Sequence, residues 1–247
     1  MSDPAQFYTG LVAELYEPLA GGISGSERFA RFVRRQGGAA LELACGSGKP
    51  MLDLLAEGLP VEGLDASADM LEQCRQSAAR RGLEPTLHLG NMQSFSLGKR
   101  FSAIYIANGS ITLLTSDADL AGCLAAVHGH LEPEGALLVD VDMPDVDAMK
   151  LGLNRFREQT ADDGTLIRCG MIGLDRSRDD RNLTIRLRYE RISLDGTEEV
   201  LERDWQRRLW SREMFEAHLR AAGFDVAKAK VHDDAVTFIA TISGEKP

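Results

Sequence analysis

Leu41-Glu42-Leu43-Ala44-Cys45-Gly46-Ser47-Gly48-Lys49-Pro50-Met51 is the stretch on which the reading of this chain turns. An apolar run over 39–44 enters it, and the amphipathic Met51-Leu52-Asp53-Leu54-Leu55 leaves it. The segment therefore reads as a strand, a tight turn and the start of a helix. Gly46 and Gly48 let the backbone bend sharply and approach a ligand with no Cβ in the way. The following helix offers unpaired N–H groups and the positive end of its dipole to an anionic group. The expected occupant is a polar small molecule lying across the carboxyl ends of a parallel sheet.

Two common glycine-loop motifs do not fit. The dinucleotide fingerprint G-x-G-x-x-G needs a glycine where Met51 stands, and the phosphate loop G-x-x-x-x-G-K-[ST] fails at Leu43 and again at Pro50. What fits is an acidic residue, then x-x-x-G-x-G, then a second acidic residue that ends the next strand. Glu42 is the first. Asp65, 19 residues beyond Gly46, is the second and closes Leu59-Pro60-Val61-Glu62-Gly63-Leu64. A carboxylate there can accept both hydroxyls of a ribose.

Outward from this stretch, strand-like runs at 39–45, 60–65, 84–90 and 101–107 alternate with helical patterns near 50–58, 67–81 and 116–130. Such alternation argues for a parallel sheet. Pro133-Glu134-Gly135 reads as a turn into a fifth strand, Ala136 to Val141. Before the first strand, Phe7, Leu11, Leu15 and Leu19 recur at helical spacing, and Tyr8 and Tyr16 fall on roughly one face of that helix. After residue 143 the apolar pattern weakens. Runs follow at 166–172, 183–192 and 200–209; alternation of apolar and polar residues is clear over 183–190, and Asp195-Gly196 is a hairpin signal between the last two.

Composition narrows the function. A net charge of −10 and the lack of a long basic run in the sequence disfavour nucleic acid as a partner. Cys45, Cys74, Cys123 and Cys169 show no C-x-x-C spacing, which reads as reduced, mostly buried thiols in a cytoplasmic protein. The five histidines show no metal-ligand spacing, so no metal is expected; His128 and His130, at a helix end, read as favourable cations near its dipole. No basic–apolar leader and no apolar run near ~18 residues is present, so no membrane partner is expected.

The run L-E-L-A-C-G-S-G-K, then V-E-G-L-D-A-S-A-D-M-L over 61–71, resembles the first two motifs of class I S-adenosylmethionine-dependent methyltransferases. Leu89-Gly90-Asn91-Met92, the run 101–110, and Trp210 through Ala221-Ala222-Gly223-Phe224 continue the resemblance. It implies a Rossmann-like α/β fold: a seven-stranded, mostly parallel sheet flanked by helices, with strands 224–231 and 235–242 as the closing hairpin. The implied organisation is an N-terminal helical lid (1–37), a core (38–142 and 210–247) and an antiparallel β insert capping the substrate (143–209), whose strand edges could pair in a homodimer.

The resemblance also implies how S-adenosylmethionine would be held. Glu42 supports the loop and the methionine amino group, Ala44, Gly46 and Gly48 pass close to the ligand, and Lys49 neutralises the methionine carboxylate. Asp65 holds the ribose, Ala66 and Met70 flank the adenine, Asn91 and Met92 contact its edge, and Ala107 ends the strand beside the site. Family members often carry an aromatic or His in the loop after the fourth strand, and 108–114 has neither. Tyr8, Tyr16, Asn108, Asp140 and Asp142 are the remaining catalytic candidates, and Arg203, Arg207 and Arg208 beside Trp205 could line a pocket for an anionic substrate. The expected activity is in-line methyl transfer to a small molecule, an amine first and a hydroxyl or carboxyl oxygen second. A nicotinamide-dependent oxidoreductase and a non-catalytic nucleoside-binding module are the rivals from other classes.

Overall fold

The computed structural model describes residues 4–20, 25–232 and 234–244. The sheet begins with β1 (Ala40–Leu43), β2 (Val61–Asp65), β3 (Leu87–Leu89), β4 (Phe101–Ile106) and β5 (Leu131–Asp142). Every residue of β1 and β4 is buried, the near-continuous apolar run expected of parallel strands covered on both faces. Further on, β10 (Phe224–Val231) and β11 (Ala235–Ile242) complete a seven-stranded sheet in the order β10-β11-β5-β4-β1-β2-β3. All pairs are parallel except β11, which runs antiparallel to both neighbours. The chain leaves β1 towards β2 and later returns on the other side to β4, so a crevice opens at the carboxyl ends of β1 and β4.

Helices fill both faces. Before β1 come α1 (Pro4–Phe7), α2 (Leu11–Ala20) and α3 (Ser26–Gln36); α4 (Met51–Ala56), α5 (Ala68–Arg80) and α6 (Asp117–His130) lie between the strands, and α8 (Arg212–Ala221) precedes β10. Strand alternation sends Leu41 and Leu43 to one face, with Leu124 of α6 and Phe215 of α8. Ala40, Ala103 and Tyr105 go to the other, with Phe29 of α3, Leu52 of α4 and Leu71 of α5. Each such fully buried side chain stabilises the fold by roughly 1.5–3 kcal/mol. Ser67, Ser116 and Ser211 cap α5, α6 and α8 by accepting a backbone N–H, from Met70, Asp119 and Met214. Because α3 packs on the parallel sheet, it belongs to the core, although the sequence groups it with the lid.

The insert holds α7 (Val146–Lys150) and a separate antiparallel sheet in the order β6 (Phe156–Thr160), β7 (Leu166–Arg176), β8 (Asn182–Ile192), β9 (Glu198–Arg208). The Asp195-Gly196 turn joins β8 to β9. β6 escapes sequence reading because it is an edge strand, exposed from Arg157 onward and without apolar alternation. Pro133-Glu134-Gly135 is not a turn before β5. It lies within the strand, where the register to β4 slips between Phe101 and Ala103.

The N-terminal segment departs from one continuous helix. The backbone breaks at Tyr8-Thr9-Gly10, between α1 and α2. The apolar face of α2 (Leu11, Val12, Leu15, Leu19) packs on Ile167 of β7 and Tyr189 of β8. Lid and insert therefore share one apolar cluster. Among the described residues no helix is long and apolar enough to cross a membrane.

Candidate functional site

The crevice at the ends of β1, β2 and β4 is a cleft with two lobes. The first, about 630 Å3 with its open mouth included, lies over Asp65, Ala66, Met70, Asn91 and Met92. The second, about 780 Å3 on the same basis, lies over Glu42, Lys49, Ala107, Asn108, Trp205 and Arg207. Tyr8, Tyr16, Ala44, Gly46, Ser110 and Leu113 line both, so the two lobes are continuous.

Asp65 ends β2 at the floor of the first lobe. Its Oδ2 accepts the Gly46 N–H at 2.8 Å and its Oδ1 accepts the Ser67 N–H at 2.8 Å. No cation pairs with it among the described residues. Burial raises its pKa above the ordinary carboxylate value, against the lowering effect of the N–H groups of Ser67, Gly46 and Ala66. An ionised carboxyl oxygen has room for further donors.

The glycine turn is shaped by two constraints. Gly48 has φ +102°, and a Cβ there would fall 2.7 Å from Leu52 and 2.8 Å from the Cys74 sulphur. Its requirement is packing beneath the turn, and it lines neither lobe. The expected ligand contact at Gly48 is thereby corrected. Ala44 has a left-handed φ of 57° and Gly46 one of 53°, so the turn folds tightly over the end of β1. Glu42 is buried on β1 and accepts the Tyr105 hydroxyl at 2.9 Å. Burial lifts its pKa well above the ordinary range, and burial likewise lifts the Tyr105 phenol.

The lid closes the first lobe from above. The Ser67 hydroxyl donates to the Tyr8 carbonyl at 2.5 Å, and Asp69 accepts the Gly10 N–H at 2.7 Å. The Tyr8 and Tyr16 rings meet edge to face, 5.8 Å apart. They come together through the break before α2, not through a common helical face. Burial raises the pKa of both phenols, so both stay protonated at neutral pH. Their hydroxyls are therefore placed as neutral hydrogen-bonding groups in the wall that the two lobes share. The indole N–H of Trp205 approaches the Tyr8 phenol without closing a hydrogen bond.

Asp140 and Asp142 project to the same side of β5, yet neither is a free base. Asp140 is buried and takes a two-pronged contact from Arg28 at 2.7 and 2.6 Å. It also accepts the Thr237 hydroxyl at 2.7 Å and the Asn108 N–H at 3.2 Å. Its four contacts make it a structural anchor for the loop after β4, and it lines neither lobe. Asp142 pairs with Arg207 at 2.6 Å. Arg207 also donates to the Thr112 hydroxyl at 2.9 and 2.6 Å and lies 4.6 Å over the Trp205 ring. Gly109 (φ +69°) sits so close that a Cβ would meet the Asp142 carboxyl at 2.2 Å. Asn108, beside it, holds a left-handed φ of 54°, which asparagine tolerates better than most residues.

Some contributors lie outside the sequence expectation. Ser67 and Gln93 line the first lobe, beside Ser110 and Leu114 of the loop after β4, and Glu17 and Ser47 line the second. Ser67 both caps α5 and lines the first lobe, and both roles follow from its place after Asp65. Arg207 faces the cleft, whereas Arg208 is buried against Asp117, and Arg203 donates to the lid backbone. His130 joins two segments: its Nε2 accepts the Leu97 N–H at 3.0 Å, and its Nδ1 lies 2.7 Å from the Ala126 carbonyl.

A crevice at the β1/β4 switch, a carboxyl group at the end of β2 and a reversed β10–β11 hairpin are the distinguishing features of this sheet. Residues 40–135 match the family model described as a methyltransferase domain. The chain is 37% identical over 145 residues to the dTDP-3-amino-3,6-dideoxy-alpha-D-glucopyranose N,N-dimethyltransferase of Streptomyces fradiae, a match covering 56% of this chain and 55% of that enzyme. The chain thus aligns with about half the length of this curated relative. Its fold is similar over 98% of its length to the CcbJ methyltransferase of Streptomyces caelestis (TM-score 0.76, 19% identity, all of that chain covered). It is equally similar to DesVI of Streptomyces venezuelae (TM-score 0.75, 21% identity, 98% of this chain and 100% of that one).

Proposed function

We propose that this protein transfers a methyl group from S-adenosylmethionine to an amine of a small molecule. The observation that carries the reading is the part-buried Asp65 carboxyl group, held by the Gly46 and Ser67 N–H groups, without an ion-pair partner among the described residues, and open to the first lobe. The residues present fit the cofactor. Asp65 would accept the ribose hydroxyls, Met70 and Ala66 would enclose the base, and Asn91 with the Met92 backbone would meet its edge. Glu42 and Lys49, of opposite charge in the second lobe, match an amino group and a carboxylate. The bound cofactor supplies an electrophilic methyl on a sulphonium, a good leaving group.

The chain's own part is mainly to align reactants, which in favourable cases supplies roughly 7–11 kcal/mol of the barrier. Tyr8 and Tyr16 exclude water and present neutral hydroxyls to the point where the lobes meet. Asn108 to Leu113, fastened by Asp140, Asp142 and Arg207, forms the floor on which the acceptor rests. With both aspartates paired and both phenols protonated, none of these four candidates is a free base. An acceptor nitrogen that reaches the site unprotonated needs none, and this favours an amine over a hydroxyl. The Streptomyces fradiae relative is named for N,N-dimethylation of a nucleotide-linked amino sugar, and an amino sugar is the first acceptor to test. Four unpaired thiols fit a cytoplasmic location.

The test is calorimetric titration with S-adenosylmethionine, S-adenosylhomocysteine and NADH, followed by mass spectrometry of amines incubated with enzyme and cofactor. Micromolar binding of both adenosyl ligands, with methylated amine formed, supports the reading. Binding of NADH alone would replace it with the oxidoreductase rival. Cofactor binding with no product across amines and alcohols would favour a binding module.

A further inference from the structure

Arg28, Arg31 and Arg35 recur at three- and four-residue spacing on α3 and share one face. Lys228 and Lys230 alternate on β10 and share one side, with His232 just beyond. The two rows face each other across a cleft of about 830 Å3, mouth included, floored by Phe32, Leu138 and Ile239. No acidic residue lines it, and it shares no lining residue with the cofactor cleft. Arg28 pairs with Asp140, and Arg31 reaches Glu27 at 3.9 Å. Arg35, Lys228 and Lys230 have no ion-pair partner among the described residues.

This concavity is exceptional in a chain of net charge −10. Five permanent cations around a low-dielectric floor focus a local positive potential, while the rest of the surface repels a long polyanion. A short, highly charged anion meets the first effect and escapes most of the second. The limited volume and the apolar floor beneath a cationic rim favour the same ligand.

We propose that this cleft is a regulatory site for a small polyphosphate anion, free or carried on a nucleoside, coupled to the active-site loop through Arg28 and Asp140. Arg28 belongs to both structures: it lines the cleft and makes the two-pronged contact with Asp140. Asp140 in turn accepts the N–H of Asn108, which lines the second lobe of the cofactor cleft. A phosphate group in the basic cleft competes with Asp140 for the Arg28 guanidinium. The loop then loses part of its anchor, so anion binding slows turnover. By linkage, ligands that need the anchored loop weaken anion binding by the same factor.

The experiment uses tripolyphosphate and GTP as probes, titrated calorimetrically into the full chain saturated with S-adenosylhomocysteine at physiological ionic strength. Saturable binding of tripolyphosphate is expected, at least about tenfold weaker in the Lys228→Glu, Lys230→Glu double variant. Unchanged melting temperature and S-adenosylhomocysteine affinity would show that this variant is folded. Tighter binding of GTP would assign the ligand as nucleoside-borne, and equal binding as the polyphosphate chain alone. No saturable binding, equal affinity in the double variant, or retention of a long RNA without tripolyphosphate binding would overturn the proposal. Tripolyphosphate should also lower kcat of the wild type and leave the double variant unaffected; binding without that effect would overturn the coupling. The turnover arm rests on the methyltransferase reading, whereas the binding arm does not, so the two failures are distinguishable.

Discussion

Asp65 meets only backbone N–H groups inside the protein, and this sets what its loss should cost. Hydrogen bonds to a charged group contribute about 1.5–3 kcal/mol each, so losing two ribose contacts should weaken the cofactor by roughly a hundredfold or more. Asp65→Ala is expected to reach that range in a calorimetric titration, and Asp65→Asn, which keeps one acceptor, to fall between it and the wild type. An Asp65→Ala affinity within a few-fold of wild type would remove the ribose assignment. Glu42 carries a pH signature as well. Its pKa is raised by burial from an ordinary 4.5, so its contribution to stability is complete below that value and is lost as pH climbs through the folded pKa. A cationic amino group docking beside it favours the ionised form. Cofactor binding should therefore release a proton, and affinity should rise with pH from about 4.5 up to the raised pKa, then level off. In Glu42→Gln, which can still accept from Tyr105, this dependence should flatten, and the variant should resist urea better than the wild type at neutral pH. An affinity that falls over that window would sink the assignment.

At the scale of elements, the lid is held by β9 as much as by α5. One Arg203 Nη1 reaches the Gln6 carbonyl at 2.6 Å, the Phe7 carbonyl at 2.7 Å and the Thr9 hydroxyl at 2.8 Å. These acceptors bracket the break between α1 and α2, so the guanidinium replaces the helical bonds lost there. Discounted for partial exposure, about 1–2 kcal/mol should go with Arg203→Ala, raising the cofactor KM roughly 5- to 30-fold with a smaller change in kcat. Steady-state kinetics and hydrogen exchange over 6–12 would check this; an unchanged KM with faster exchange would mean that the lid does not gate the cofactor. Neither this clamp nor the anchor at Asp140 was legible in the sequence, for a common reason. Strands 224–231 and 235–242 were legible through the family resemblance, and Asp65 through its distance to Gly46. Arg203 meets Gln6, and Asp140 meets Arg28, only after the chain has folded over more than a hundred intervening residues. The basic cleft is hidden likewise, because its two rows are short and unremarkable until α3 and β10 face each other. β6 was missed because an exposed edge strand has no apolar face to reveal it.

Taken as one molecule, the chain has a rigid floor and a composite roof. The parallel sheet and its two apolar layers fix Glu42, Asp65 and the Asn108 loop at one rim. Above that rim, α2 and the antiparallel sheet share an apolar cluster around Leu15, Ile167 and Tyr189. Arg157 donating to the Leu19 carbonyl and Arg191 pairing with Glu14 tie the same two parts together. Lid and insert are thus fastened to each other, and the lid lies across the first lobe through the Tyr8 and Gly10 contacts to α5. A second groove, about 1110 Å3 with its mouth included, runs between Phe7 of the lid and Arg203 and Trp205 of β9. It shares Leu113 and Trp205 with the second lobe, so it offers the acceptor a path that needs no lid opening. On the proposed function, the cofactor would enter under a raised roof, and the acceptor pocket would be completed by a lowered one. Binding should be ordered, cofactor first and S-adenosylhomocysteine released last. Product inhibition by S-adenosylhomocysteine should be competitive against S-adenosylmethionine and noncompetitive against the acceptor, and the acceptor alone should give no heat in a titration. Tight acceptor binding to the cofactor-free protein would show that the roof can close without its ligand, and the ordered scheme would fail.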